Sequence, residues 1–481
     1  MESIFWHDYE TFGADTRKDR PCQFAGVRTD FNLEVIEEPV TFFCKPTDDF
    51  LPSPDACLIT GITPQQADSE GYTEAEFARQ IHDIFSVPQT CVAGYNSIRF
   101  DDEISRNLFY RNFYDPYERE WRNGNSRWDI IDLVRLTYAL RPDGINWPVD
   151  EAGNPSFRLE KLTEANGILH EAAHDAMSDV YATIAVAKLI KEKQPALYDY
   201  VFNHRHKNAL LPFFETKDIK PLFHVSSKYP ASLGCCALVM PLFKHPHNSN
   251  GYVAFDLRQN PQDVFELSSE EIKNRLYSTG ESLSQQGKFR PAIKTIHINK
   301  CPMIAPASVI KTIPEERLFR WDLNTEEMMR HVTWIRSNPA FTSKLYSLFD
   351  EPPQREQETD PDLMIYSGFF GATDKQLMQQ VRLATENELA EREYPFVDAR
   401  LSEMLFRYKA RNYPAVLADD EQDRWAQYCL NKLMTKSSVY LTFERYLERI
   451  NELANQDGIS SRDLNILEDL KYYAESIYPY T

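Results

Sequence analysis

The chain of 481 residues has no unbroken apolar run of membrane-spanning length, and its mean hydropathy is negative, which excludes a membrane-embedded helix from the reading. Its N-terminus carries neither a basic flank nor an apolar stretch long enough for a signal peptide, so a cytoplasmic protein is expected. Eight cysteines (22, 44, 57, 91, 235, 236, 301 and 429) include no Cys-x-x-Cys pair and no ligand spacing with the histidines. They read as reduced, buried thiols, and zinc is not expected. Also missing are a Walker loop, a Gly-x-Gly-x-x-Gly turn, a Ser or Cys nucleophile motif, internal repeats and low-complexity tracts, which sets aside nucleotide-loop and acyl-transfer chemistries.

Positive charge is also scarce. There are 53 basic residues against 73 acidic ones, a formal charge of −20, which argues against a nucleic-acid partner unless cations are concentrated locally. They are concentrated between residues 99 and 141, where Arg99, Arg106, Arg111, Arg119, Arg122, Arg127, Arg135 and Arg141 balance eight acids.

The length implies roughly three domains of about 150 residues, and 42% apolar with 13% aromatic residues suffices for packed cores. Strands are predicted at 4–12, 22–28, 40–44 and 91–95, with helices at 73–85, 100–111 and 129–140, a pattern that favours an α/β domain around a mixed sheet. Met177, Val180, Tyr181, Ile184 and Ala187 recur at helical spacing and predict an amphipathic helix from near His174 to before Pro195, closing a first domain at 1–195. Strands at 237–243, 252–257 and 293–298, with a helix at 325–336, predict a β-rich domain at 196–349. The segment 350–362 has the composition of an exposed linker, and a helical domain at 350–481 follows.

Five dispersed residues carry the chemistry. Asp8 and Glu10 are two apart on a predicted strand, so both leave one face while Tyr9 leaves the other. Asp101 follows the strand at 91–95 and starts a helix; Asp102 beside it is the better helix cap. His174 and Asp179 lie about 140° apart around a helix axis, a spacing that works if His174 precedes the first full turn while Asp179 projects from the helix. Four carboxylates and a histidine are what two divalent cations and a general base require. Oxygen ligands suit magnesium, with manganese as a substitute, and a histidine titrates near neutrality.

The motif Asp8-x-Glu10, then Asp101, then His174-x-Ala-x-x-Asp179 resembles the DEDDh type of DnaQ-like exonucleases. Stretches at 59–64, 111–117, 125–129, 139–148, 297–302 and 366–370 make the chain similar to the bacterial exonuclease I family along nearly its whole length. The resemblance implies a C-shaped protein with an RNase H-like α/β exonuclease domain, a central SH3-like β-rich domain and a C-terminal all-helical domain. It further implies processive 3′-to-5′ degradation of single-stranded DNA to 5′-mononucleotides in DNA repair and recombination. Asp8, Glu10, Asp101 and Asp179 would be metal ligands and His174 the base. A 3′-to-5′ RNA exonuclease of the same superfamily, and a catalytically dead single-strand-binding scaffold, are the alternatives.

For the strand itself, Arg106, Tyr117, Trp121, Arg135, Phe157 and Arg158 alternate planar aromatics with guanidinium groups, the composition of a groove where bases stack and phosphates are neutralised. The resemblance places Arg158 near the metals. Glu10 joins this substrate-binding set, as do Lys207, Asn250, Lys294, Tyr366 and Phe369 from the other domains, closing a channel. The family also binds the acidic C-terminal tail of single-stranded DNA-binding protein, for which Arg141, Lys220, Lys311 and Arg336 are expected to form a basic site. A monomer is expected.

Overall fold

The structure is a computed structural model that describes residues 2–170, 175–352, 358–435 and 439–478. Its first sheet has the order β3-β2-β1-β4-β5, built from β1 (Ser3–Thr11), β2 (Pro21–Thr29), β3 (Val40–Phe43), β4 (Thr90–Gly94) and β5 (Ser126–Asp129). β1 is central, antiparallel to β2 and parallel to β4. Eight of its nine residues are buried, so its apolar and aromatic residues Ile4, Phe5, Trp6 and Tyr9 fall on both faces rather than alternating with exposed polar ones. Helix α1 (Glu74–Phe85) begins where the Thr73 side chain accepts a hydrogen bond from the Glu76 amide. Its Phe77, Ile81 and Phe85 pack with Phe5, Tyr9 and Phe24 of the sheet and with Ile104, Leu108 and Phe109 of α2 (Asp101–Arg111). Helix α3 (Ile130–Leu140) is capped by Asp129, α4 spans Leu159–Ala165, and α5 spans Ala176–Lys193.

The expected apolar stripe of α5 shifts in one place. Val180, Thr183, Ile184, Ala187 and Ile190 are buried, but Tyr181 is 43% exposed, because the stripe runs through 180, 183/184, 187 and 190. The expected start at His174 lies outside the described residues.

The chain divides into two compact units. One comprises Trp128–Leu169 and Ala185–Arg355. Within it lies an antiparallel sheet of order β10-β6-β7-β8-β9, formed by β6 (Leu222–Val225), β7 (Cys236–Lys244), β8 (Gly251–Asp256), β9 (Ile293–His297) and β10 (Met303–Pro306). Its core gathers Leu222, Val239, Tyr252, Ala254, Ile296 and Ile304. Three of these strands coincide with predicted ones. The other two, β6 and β10, are four residues each and too short to show a period. Helix α6 (Thr325–Ser337) is capped by Asn324.

The other unit comprises Met1–Arg127, His170–Ile184 and Glu356–Thr481. It joins most of the first sheet to C-terminal helices that include α7 (Ala399–Asn412), α8 (Asp419–Met434), α9 (Phe443–Ala454) and α10 (Ser461–Ser476). Phe12, Cys22, Phe50, Leu51 and Cys57 share a core with Leu433, Phe443, Tyr446, Ile450, Leu467 and Leu470. All eight cysteines are buried. Among the described residues no helix is long and apolar enough to cross a membrane.

The expected exposed linker needs correction at its end, since Asp362 is 3% exposed. Arg407 and Arg411 lie four apart on α7 and reach the same carboxylate, at 3.1 and 2.6 Å, while Arg407 also holds Asp360 at 2.6 Å. Arg411 continues to Asp49 at 2.9 Å, where Lys432 adds a contact at 2.7 Å. Burial works to raise the Asp49 carboxyl, yet Arg411, Lys432 and Arg20 overcome it and hold it well below the usual range. Removing one partner strands buried charges, so Arg411→Ala is expected to cost about 3–5 kcal/mol. Denaturant unfolding checks this, and a loss below about 1 kcal/mol would show that the cluster does not secure these helices.

Candidate active site

Asp8 and Glu10 stand opposite Ala25 and Gln23 of β2, on the same face near the end of β1. Tyr9 points to the other face, where its ring packs against Phe24 at 5.0 Å and its hydroxyl meets Ser105 Oγ at 3.0 Å. Its backbone N–H donates to Asp101 Oδ1 at 3.1 Å, so one hydrogen bond ties the first turn of α2 to the strand between the two acids. Asp179 comes from the first turn of α5. That turn is set by Asp175, whose side chain accepts from the Ser178 amide at 3.0 Å.

One oxygen from each of Asp8, Glu10 and Asp179 lies within 4.8 Å of the others. Asp101 adjoins them, its Oδ1 accepting from the backbone amide of Tyr9 between the two strand acids. Burial, followed by the charges of Asp101, Glu10, Asp179 and Asp175, pushes the Asp8 carboxyl well above its ordinary range. Burial and then Asp179, Asp101 and Asp175 push Glu10 up to about 8. Crowded carboxylates with raised proton affinity are a donor set of hard oxygens short of positive charge, which fits divalent cations such as magnesium or manganese. Asp175 is a nearby carboxylate that sequence reasoning missed, although it sits inside the His-Asp-Ala-Met-Ser-Asp motif. A second omission is His170, whose Nε2 lies 2.5 Å from Asp179 Oδ1. His174, the expected base, lies outside the described residues.

Asp102 is not a cap; Phe100 occupies that position and no side chain caps α2. Asp102 instead meets Arg119 at 2.6 Å and Arg127 at 2.7 Å, with all three side chains at most 5% exposed. Its carboxyl lies below the usual range: burial opposes ionisation, but Arg127, Arg119 and Arg106 outweigh it. These pairs fix the turn that presents Asp101. Arg127 also reaches Glu120 at 3.1 Å, and Arg106 grips Glu120 and Glu103, each at 2.7 Å.

This arrangement corrects several groove expectations. Arg106 is 4% exposed with two carboxylate partners, so its charge is spent inside the protein. Arg135 pairs with Asp132 at 2.6 Å and lies over Phe157, which is 8% exposed and packs as core. Lys294 Nζ stands 4.3 Å from the Tyr229 ring centroid, also inside. Other expected residues are presented to solvent. Trp121 is 66% and Phe369 82% exposed. Phe369 meets the edge of half-buried Tyr117, and the Tyr366 hydroxyl donates to Glu103. Arg158 precedes α4 with 78% of its side chain exposed and a 3.9 Å contact to Glu160. Lys207 is exposed at a helix start. Asn250 lies in the turn between β7 and β8, where its carbonyl accepts from the Ile298 amide at 2.9 Å.

The four basic residues of the expected partner site fall into two pairs. Arg141 donates to Thr312 Oγ1 at 2.9 Å, beside exposed Lys311. Arg336 donates to the Ile219 carbonyl at 2.8 Å and meets Asp218 at 3.2 Å, beside exposed Lys220.

Three family models match in order along the chain: an exonuclease model at residues 5–187, the exonuclease I SH3-like domain at 205–351 and the exonuclease I C-terminal domain at 359–477. The chain belongs to the exonuclease I family. Exodeoxyribonuclease I of Escherichia coli strain K12 is 43% identical over 477 residues, covering 99% of this chain and 98% of the relative. The solved structure of E. coli exonuclease I in complex with a dA16 oligonucleotide superposes with a TM-score of 0.94 at 43% identity, covering 99% of this chain and all of that one. A zinc-bound form of the E. coli exonuclease I complex with single-stranded DNA superposes with a TM-score of 0.92 at 43% identity, over 99% of both chains. An α/β exonuclease domain, an SH3-like domain and a C-terminal helical domain are thus the architecture of this member of the exonuclease I family, and its class is that of an exonuclease.

The raised carboxyls make a prediction for the metal-free protein. Between the unfolded glutamate value of about 4.3 and the folded value of about 8, folded Glu10 holds a proton that the unfolded chain has released. Stability should therefore fall as pH rises through that window. Melting in chelator should show a decline from about pH 5 to pH 8 that Glu10→Gln flattens; an equally steep decline in the variant would contradict it.

Proposed function

We propose that this protein is a processive 3′-to-5′ exonuclease that releases 5′-mononucleotides from single-stranded DNA, with the acids of β1, α2 and α5 as its reaction centre. The observation that carries the reading is the approach of Asp8, Glu10 and Asp179 to within 4.8 Å, with Asp101 tied to β1 alongside. The solved complexes of E. coli exonuclease I with single-stranded oligonucleotides support the choice of substrate.

Asp8, Glu10, Asp101 and Asp179 would hold two magnesium ions, with manganese able to substitute. Bound there, such ions supply an acidified attacking water and neutralise charge developing on the phosphoryl group. β1 and the first turns of α2 and α5 keep the four carboxylates in place, and Glu10 also borders the terminal nucleotide. His174, five residues before Asp179, takes the proton of the attacking water; spacing and family resemblance support that role. Arg158, exposed and loosely paired, is the cation best placed in chemistry to meet a phosphate. Tyr117, Tyr366, Phe369 and Trp121 offer aromatic surface on which bases stack irrespective of sequence. Lys207 and Asn250 complete the substrate set.

Domain limits at 1–195, 196–349 and 350–481 belong to the same reading, as does a role in DNA repair in the cytoplasm. The pairs Arg141 with Lys311 and Lys220 with Arg336 would receive the acidic C-terminal tail of single-stranded DNA-binding protein.

End-labelled DNA and RNA incubated with magnesium test the proposal. Mononucleotides should leave the 3′ end of single-stranded DNA, Asp8→Ala should abolish release, and His174→Ala should lower kcat roughly 10²- to 10⁴-fold. Release from RNA alone, or parent-like rates in Asp8→Ala, would overturn the assignment.

A further inference from the structure

His170 plays no part in the reading above, yet it touches the site. Its Nε2 lies 2.5 Å from Oδ1 of Asp179, with the imidazole side chain 5% and the carboxylate 19% exposed. The contact joins two pieces of chain nine residues apart: His170 follows α4, and Asp179 projects from the first turn of α5.

The geometry points to His170 as a positioning residue that holds the Asp179 carboxylate in its ion-binding orientation. Asp179 shares a space of 4.8 Å with Asp8 and Glu10, and like charges there push the three carboxylates apart. Nothing in an aspartate's own torsions resists that push, because the carboxylate turns about soft bonds. A buried imidazole N–H on one oxygen does resist it, and leaves the other oxygen directed by the first. Carboxylates that bind metals are commonly fixed by a hydrogen bond of this kind, and its loss typically lowers ion affinity 10- to 100-fold.

The inference rests on Asp179 being a metal ligand, and the experiment separates the two claims. Free Mn²⁺ is titrated by electron paramagnetic resonance against the full chain, without DNA, for the parent, His170→Leu, His170→Gln and Asp179→Ala. Leucine keeps the buried volume without a donor; glutamine returns a donor. Expected is a 10- to 100-fold weaker affinity in His170→Leu, partial recovery in His170→Gln, and a matching shift of nuclease activity to higher Mn²⁺ concentration. Melting in chelator establishes that each variant is folded. Weakened binding in Asp179→Ala with parent-like binding in His170→Leu would overturn the positioning role alone. Parent-like binding in Asp179→Ala would overturn the ligand assignment on which it rests. Equal weakening in His170→Leu and His170→Gln would show that packing, not the hydrogen bond, sets the carboxylate.

Discussion

Carboxylates repel one another, and this protein folds so as to bring several together at the end of its central strand. Oxygens of Asp8, Glu10 and Asp179 lie within 4.8 Å of each other, with Asp101 and Asp175 close enough to raise the proton affinity of both strand acids. Such an arrangement opposes folding unless protons or cations relieve it. The surrounding structure supplies the restraint. β1 is held between β2 and β4, Tyr9 anchors Asp101 through its backbone, Asp175 caps the turn of Asp179, and His170 holds Asp179 itself. A site under this electrostatic strain is one that binding of divalent cations stabilises.

Arginine does the complementary work around it. Although the chain is strongly acidic, seven of its arginines are placed in buried groups: Arg119 and Arg127 on Asp102, Arg106 on Glu103 and Glu120, Arg20 and Arg111 on Glu74, Arg407 and Arg411 on Asp362. Each guanidinium offers several donors in a fixed plane and satisfies carboxylates that would otherwise be stranded. One cluster secures the helix carrying Asp101. The other fastens C-terminal helices to the segment around Asp49.

The sequence was informative wherever function depended on order along the chain. Asp8 and Glu10 on one strand face, Asp101 at a helix start and Asp179 in the first turn of another helix were all legible, because strand alternation and helix starts are local properties. So were most long elements. The uses of the arginines between 99 and 141 were not. Arg106, Arg135 and Phe157 have the residue types of a nucleic-acid groove, and only their partners in space reveal them as interior. Local sequence favours Asp102 as a cap because its true partners, Arg119 and Arg127, lie 17 and 25 residues away. His170 has no sequence signature for a similar reason: the motif's own histidine, His174, already fills the role of a histidine near Asp179, and the contact of His170 with Asp179 exists only in space.

Anomalous diffraction from crystals soaked in Mn²⁺ shows whether these carboxylates form one binding site for two cations. Expected are two peaks about 3.5–4 Å apart, bordered together by Asp8, Glu10, Asp101 and Asp179. Manganese bound away from Asp8, or no peak among these four acids at saturating Mn²⁺, would contradict it.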